Sequence, residues 1–585
     1  MRDWEFSWGP ASNPDGSTIL RLWAPTQARV SVAIDDRQVP MDRADDGWFS
    51  ITETLTDDAD YWFALADGTR VPDPASRWQR AGALGPSRLW GSDFNWKVPW
   101  KGRPWEEAII YEIHIGTFSA EGTFAAAEKH LHRLAELGVS AVQIMPLAQF
   151  PGTRGWGYDG VYPYAPHNSY GSPDDVKSFV DEAHRYGLMV FLDVVYNHFG
   201  PEGNFLQLYA AEFFRKDDPT PWGPKIAFER EPVRRFFIDN VIYWLDQFRF
   251  DGLRFDAVDQ IEDRTDPHIL KEISETVHER FLDRHVHLIT ENPANATNLL
   301  SRDGGPFFVA DWNDDFHHAM HVAVTGEASG HYAPFGEKPW QKMKQTLQKG
   351  YLCDGNCFQS RDRAHSASLP PTAFVHFLQN HDQVGNRALG NRLQTMIDQR
   401  CHRVLTEILM LSPQIPLLFM GDDHLTRRRF HFFADYKGEL ARAIAAGRST
   451  EAENFGGLPE GCGARDLPDP NDLSTFLDSK LDWDVLADDK AAAWASFLKR
   501  LIKVRRNHVI PLLPDADGYA GSVVSAVEQA VFLDWKLGAR TLQLRANASG
   551  RAMSMERDCG QRVYPPVSEA AEEVLQPWTT HLYVL

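Results

Sequence analysis

The chain is short of cysteine, of positive charge and of long apolar runs. Its five cysteines, Cys353, Cys357, Cys401, Cys462 and Cys559, are scattered and odd in number among 585 residues. That excludes a disulfide framework, and the spacing of Cys353 and Cys357 does not suggest a zinc knuckle; the five read as reduced thiols of a cytoplasmic protein. No apolar run reaches the ~18 residues of a membrane span. The opening Met1-Arg-Asp-Trp-Glu5 carries no apolar segment of a secretory signal. Lys and Arg number 60 against 81 Asp and Glu, a net charge of −21. This disfavours nucleic acid and anionic membranes as partners. There is no Gly-x-Gly-x-x-Gly turn and no phosphate loop, and no cofactor or metal site is implied.

What is present is an ordinary globular composition, 43% hydrophobic and 24% charged. The length is too great for one core, and three domains are expected. Residues 1–97 read as a β-sandwich: Leu20–Trp23, Val30–Ile34, Trp48–Ile51 and Tyr61–Leu65 are strands, broken by Pro25, Asp46-Gly47 and Asp67-Gly68. Its role is either packing against the next domain or binding sugar directly. The 19 Trp leave both open, because Trp fills cores and also lines sugar clefts.

Across residues 98–510 strands and helices alternate. Strands are expected at Ile109–Phe118, Val139–Met145, Leu188–Tyr196, Asp251–Asp256, Val286–Glu291, Phe307–Ala310, Phe374–Leu378 and Pro416–Met420. Helices are expected at Phe124–Leu137, from Ser172-Pro173 to Gly187, at Val233–Phe248, His268–Phe281 and Ala491–His508. Eight such strands imply a (β/α)8 TIM barrel, with a doubly wound open sheet as the weaker alternative. Residues 511–585 turn to strands again at Val523–Val527, Val531–Trp535, Leu542–Leu544 and His581–Leu585, a C-terminal β-sheet domain.

The chemistry sits at four strand ends. Asp193-Val-Val-Tyr-Asn-His198 ends the third strand, Gly252-Leu-Arg-Phe-Asp256 the fourth, Thr290-Glu291-Asn292 the fifth and Asn380-His-Asp382 the seventh. A polar residue at one strand end is usually a turn or a cap. Four clusters at the carboxyl ends of one barrel face the place where such enzymes keep their active sites. Strand alternation puts Arg254 and Asp256 on one side, and a guanidinium there favours the anion a nucleophile needs. Glu291 is then the proton donor, its pKa raised by burial and a second carboxylate. Asp382 is a third acid, and His198 and His381 are donors to a sugar. Consecutive His381 and Asp382 reach one site only if the chain has already left the strand.

These four motifs resemble those of the α-amylase family of retaining glycoside hydrolases. The resemblance implies Asp256 as nucleophile, Glu291 as acid/base and Asp382 as transition-state stabiliser, with Arg254, His198, His381 and Asn380 around the reacting sugar. Retention requires the two reacting carboxyls ~5–5.5 Å apart. Within the family the chain is similar, over nearly its whole length, to the branch that hydrolyses the α-1,4 bond beside the trehalose end of maltooligosyltrehalose. That similarity runs through Leu22-Trp-Ala-Pro25, Asp73-Pro-Ala-Ser-Arg77, Tyr111–Phe118, Trp156–Ala165, Asn197–Asn204, Trp312–His318 and Ser479–Trp483.

It places Tyr158 against the sugar at the cleavage point, beside Trp156 and Asp159. Trp222, Asp314, Asp315 and Asp422 are candidates for the leaving side, and an α-1,4-glucan ending in trehalose is the expected partner. Departures from the branch's usual pattern are Asp259, Pro293, Asp422-Asp423 and the basic run Arg427-Arg-Arg429, read here as loop residues able to contact the leaving side. The rival readings are a glycogen branching or debranching enzyme of the same family and a catalytically silent carbohydrate-binding protein. All three acids are present, which weighs against the silent reading.

Overall fold

Eight short parallel strands close into a barrel. They are β1 (Ile110–Ile113), β2 (Ala141–Ile144), β3 (Met189–Val194), β4 (Gly252–Phe255), β5 (His287–Glu291), β6 (Ala310–Trp312), β7 (Phe374–Phe377) and β8 (Ile415–Phe419), bonded in that order with β8 returning to β1. The computed structural model describes residues 4–91, 93–215, 223–300, 308–352, 366–555, 560–566 and 574–585. Trp222, Cys353, Cys357, Cys559 and the Phe307 end of one expected strand lie outside them.

Every residue of the eight strands is buried except Glu291. This is the pattern of strands covered on both faces. Ile110, Ala141, Phe191, Ile289, Val375 and Leu417 fill the barrel interior. Trp105, just ahead of β1, joins that core and donates from its indole to Thr372 O at 2.8 Å, closing the end opposite the carboxyl mouth.

The helices follow the expected signals where capping is strong. Ser172 and Asp175 form a reciprocal capping box at the start of Pro173–Arg185, and Gly187, at φ +74°, stops it. Elsewhere side-chain contacts override the periodicity. The expected strand Ile109–Phe118 ends at Ile113, where His114 bonds Thr117 Oγ1 and Gly155 O, both at 3.0 Å, and opens the helical turn Ile115–Phe118. The helix expected at Phe124–Leu137 divides into Phe124–Glu128 and Leu131–Leu137, with His130 at the break stacked 4.0 Å from Trp483. Val233–Phe248 is helical from Glu231 to Ile242 and widens into a π-turn, Tyr243–Gln247.

Residues 11–88 form two antiparallel sheets. One is built around Thr18–Trp23 and Trp48–Glu53, the other around Ser31–Ile34 and Asp60–Ala64. The C-terminal strands form a five-stranded sheet centred on Ala530–Leu537, Arg540–Asn547 and Thr579–Val584. The strand expected at Val523–Val527 stops at Val523. Beyond it the Lys344 ammonium takes the carbonyls of Ser525 and Val527, both at 2.8 Å, in place of a ladder partner.

Candidate active site

One guanidinium organises the mouth of the barrel. In the parallel register Asp193 of β3 lies level with Arg254 of β4, so both side chains project inward together. Asp256 lies two residues further along, and Glu291 ends the adjacent β5. Arg254 is fully buried. Its Nη1 donates to Asp193 at 2.7 and 2.9 Å and to Asp256 Oδ1 at 3.0 Å, and its Nη2 lies 2.8 Å from Glu291 Oε2. Trp312 supports the guanidinium from one face at 4.4 Å.

Two further contacts fix the Asp256 and Glu291 carboxyl groups. Asn197 donates to Asp256 Oδ2 at 2.9 Å. The Ala257 N–H donates to Glu291 Oε2 at 2.9 Å, and it can do so because Ala257 sits at φ +39°, ψ 56°. That left-handed conformation is strained for a residue with a Cβ and directs the amide at the neighbouring strand.

A second network holds the third acid. β7 ends at Phe377, and His381–Gly385 is a short helix whose N-cap is Asn380, accepting from the Gln383 N–H at 3.0 Å. His381 and Asp382 therefore both reach the mouth from a helical turn. The His381 ring bonds Glu112 of β1 at 2.6 Å through Nδ1, and its own N–H donates to the same carboxylate at 3.1 Å. Its Nε2 meets the Tyr158 hydroxyl at 2.8 Å, and that hydroxyl donates to Asp193 Oδ2 at 2.7 Å. A continuous hydrogen-bonded chain thus runs from Glu112 through His381 and Tyr158 to Asp193 and Arg254. Asp382 accepts from Asn386 at 3.0 Å and lies 3.5 Å from His381 Nε2.

The charge balance gives these contacts chemical meaning. Glu112, Asp193, Asp256, Glu291 and Asp382 share two cations, Arg254 and His381. A buried site does not sustain that excess of negative charge, so protons are retained. Burial raises the Glu291 pKa, Asp256 adds to the rise, and Arg254 and the Ala257 N–H oppose it. Burial raises Asp382 too, against His381, and pushes Asp193 up to about 7 against Arg254. Burial alone would lower His381, but Asp382 and Glu112 together hold it up to about 9, as a cation at neutral pH. His198 is driven down to about 4 by burial and stays neutral. The site thus pairs a carboxyl group inclined to carry a proton, Glu291, with a carboxylate gripped by Arg254 and Asn197, Asp256. That is the acid–nucleophile division a glycosidic bond requires.

The remaining expected residues separate into two groups. Tyr158 lies in the site, its ring stacked 5.2 Å from that of His381, and His198 bonds Asn197 beside Asp256. Asp314 accepts from Gln383 at 3.1 Å, and burial raises its pKa well above the usual range, with Glu291 and Asp382 adding to the rise. Asp159 is also raised, mainly by burial.

Trp156 is buried behind His381. It donates to His431 O at 2.9 Å, stacks on Phe430 and gives its edge to the His381 ring. Asp315 is taken up by Asn295 and by the Leu352 N–H. Asp422 accepts from Gln379 at 2.6 Å and from the Phe419 N–H at 2.9 Å, so its carboxylate ties β8 to the loop after β7. Asp423 is likewise no loop contact. Wholly buried, it joins Tyr111, Arg133 and His424 at 2.6–2.9 Å. The Asp422-Asp423 departure is therefore a structural clamp. Arg427, Arg428 and Arg429 are exposed.

The sequence assigns no role to Glu112, and none to Asp193 although it heads the motif of the third strand. Their signal in the sequence is a carboxylate inside an otherwise apolar four- to six-residue run, which burial does not tolerate without a partner.

A closed parallel barrel with paired acids at its carboxyl mouth defines a glycoside hydrolase of the α-amylase type. Residues 101–220 match the model of the α-amylase catalytic domain. The chain is 40% identical to a malto-oligosyltrehalose trehalohydrolase of Saccharolobus solfataricus, over 86% of this chain and 87% of that one. It is 36% identical to the protein of that name in Deinococcus radiodurans, over 91% and 90%. A crystal structure of an α-amylase-like protein from Salmonella typhimurium superposes with a TM-score of 0.93 at 41% identity, covering 99% of this chain and all of that one. The chain belongs to the malto-oligosyltrehalose trehalohydrolase family. No helix among the described residues is long and apolar enough to cross a membrane.

Proposed function

We propose that the protein hydrolyses the α-1,4-glucosidic bond beside the trehalose end of maltooligosyltrehalose, with retention, and releases trehalose. The observation that carries the chemistry is the single buried guanidinium gripping Asp256 and Glu291 from adjacent strands. The names of the relatives carry the substrate.

In this reading the maltooligosyl part occupies the inner side of the mouth and trehalose the leaving side. Asp256 attacks the anomeric carbon, forming a glycosyl ester as the bond to the trehalose oxygen breaks. Glu291 gives its proton to that oxygen, and trehalose departs. Glu291, now a carboxylate, takes a proton from water, whose oxygen displaces Asp256 and frees the maltooligosaccharide. Asp382 and the cationic His381 bind sugar hydroxyls and stabilise charge in the oxocarbenium-like transition state. Tyr158 packs against the ring being cleaved, and Asp314 is the described leaving-side residue best placed to meet trehalose.

Product analysis tests this. Maltooligosyltrehalose and a maltooligosaccharide of equal length are supplied separately. Rapid trehalose release from the first with little cleavage of the second supports the reading, and β-anomeric product at early times would contradict retention. Equal cleavage of both makes the protein a general amylase. New α-1,6 linkages without hydrolysis favour the branching reading.

A further inference from the structure

Arg448, on a helix outside the barrel strands, reaches the turn that carries the third acid. Asp382 itself is held by few contacts. Its side chain is open to the mouth, 33% exposed, so packing does not fix it. Asn386 Nδ2 donates to its Oδ1 at 3.0 Å, and His381 Nε2 lies 3.5 Å from the same oxygen. No other hydrogen bond to this carboxylate is made among the described residues.

Asn386 can donate only if its amide is turned the right way. A donor placed on the amide oxygen decides that the nitrogen faces Asp382. That donor is Arg448. Its Nη1 lies 3.5 Å from Asn386 Oδ1, and its Nη2 donates to the Gly385 and Asn386 carbonyls at 3.1 and 3.3 Å. Those carbonyls end the helical turn His381–Gly385, where no further intrahelical N–H is available to them. The guanidinium lies over the Phe432 ring at 5.2 Å, and the Phe432 N–H joins it on the Gly385 carbonyl at 3.1 Å.

Arg448 comes from Gly438–Asn454, a 17-residue helix that follows β8. Only Arg448 and Ala452, one turn apart, are buried in it. A helix with so narrow an apolar face draws little of its placement from hydrophobic burial, and Arg448 is its polar anchor. Burial lowers the Arg448 pKa to about 10, so it stays a cation at neutral pH. The charges that act on Asp382 are chiefly His381, Glu291, Arg254 and Glu112. Arg448 therefore works on Asp382 through Asn386 and not through its own field.

We propose that Arg448 is a positioning residue for Asp382. It clamps the end of the turn after β7 and orients the Asn386 amide that fixes the carboxylate. The part Asp382 plays in hydrolysis rests on the function proposed above; the clamp does not.

The test is a double-mutant cycle in trehalose release from maltooligosyltrehalose, using Arg448→Met, Asn386→Ala and the two combined. Arg448→Met is expected to lower kcat about ten- to a hundredfold, the cost of a misplaced group at a reacting centre, with KM changed less than kcat. In the Asn386→Ala protein the same substitution should lower kcat by less than about threefold, because the residue it acts through is gone. Equal losses in the two backgrounds overturn the proposal, since an arginine that only held its own helix would cost the same in both. Should Arg448→Met not fold, Arg448→Lys takes its place in the same cycle, because it keeps the charge but not the fork. The unmodified protein is assayed first. If it releases no trehalose, the catalytic reading fails, and a crystal structure of the folded Arg448 variant decides this one. An Asn386 amide turned away from Asp382 supports the clamp, and an amide nitrogen still 3.0 Å from Oδ1 overturns it.

Discussion

Arg254→Lys is the substitution on which the account of the active site depends most. The native guanidinium reaches three carboxylates at once, Asp193 at 2.7 Å, Asp256 at 3.0 Å and Glu291 at 2.8 Å, using two nitrogens of a rigid fork. A lysine keeps the positive charge but concentrates it at one point on a shorter span, so it cannot serve all three. Losing one charged hydrogen bond costs ~1.5–3 kcal/mol, which is about ten- to a hundredfold in kcat/KM if the bond persists into the transition state.

The substitution also carries a signature that general damage would not. Arg254 holds the Glu291 pKa down against burial and against Asp256. An ammonium drawn to Asp193 no longer lies 2.8 Å from Glu291 and lowers its pKa less, so Glu291 keeps its proton to higher pH and the alkaline limb of the kcat/KM profile moves up. The assay is trehalose release as a function of pH, with near-ultraviolet circular dichroism to establish that the fold is retained. Near-native kcat/KM with an unmoved alkaline limb would refute the argument that Arg254 sets the protonation of the pair.

Four other outcomes follow from the same geometry. Asp256→Asn and Glu291→Gln should each reduce hydrolysis at least ~10³-fold with an unchanged thermal transition; near-native turnover in either would remove its assigned role. Glu112→Gln should act in the opposite sense to Arg254→Lys. It removes a carboxylate that holds His381 up to about 9, so His381 loses its proton at lower pH, and a profile whose alkaline limb stays in place would show that His381 need not be charged. Ala257→Val forces a β-branched residue to adopt φ +39°, costing ~1–3 kcal/mol and misdirecting the amide that holds Glu291; Ala257→Gly should be tolerated, and equal activity of the two would show that this backbone turn is unimportant.

The fourth concerns Glu327. Burial would raise its pKa, but His321 and Arg387 hold it at about 2, below the usual 4.5. The pairing therefore stabilises the fold above about pH 4.5 and is lost as pH falls toward 2. Glu327→Gln should lower the denaturation midpoint at pH 7 and leave it unchanged near pH 2, and a uniform loss at both would refute the pairing.

What could be read in the sequence depended on how much of each signal was local. The barrel strands are runs of residues buried on both faces, and such runs are visible without knowledge of their neighbours. Ser172, Asp175 and Gly187 terminate their helix through contacts a few residues apart, so its ends are legible in the sequence. His114 and His130, by contrast, break their segments through Gly155 and Trp483, distant in the chain, and no periodicity contains that information. Asp256 and Glu291 are legible as candidates because each ends a strand, and strand ends in a parallel barrel meet at one mouth.

The carboxylates inside the strands were harder to interpret, although they decide the electrostatics. Glu112 is flanked by Tyr111 and Ile113, and Asp193 by Leu192 and Val194, so each looks like an interruption of an apolar run. A carboxylate in such a place is unstable alone, and it implies a buried cation beside it. Arg254 answers for Asp193 and His381 for Glu112, and the Tyr158 hydroxyl, bonded to both His381 and Asp193, links the two pairs. Glu291 and Asp256 are thereby coupled to residues on β1, on β3 and on the helical turn after β7. The protonation of Glu291 is a property of this network and not of Glu291 and Asp256 alone. For that reason Arg254→Lys and Glu112→Gln, on opposite arms of the network, are expected to move the same pH limb in opposite directions.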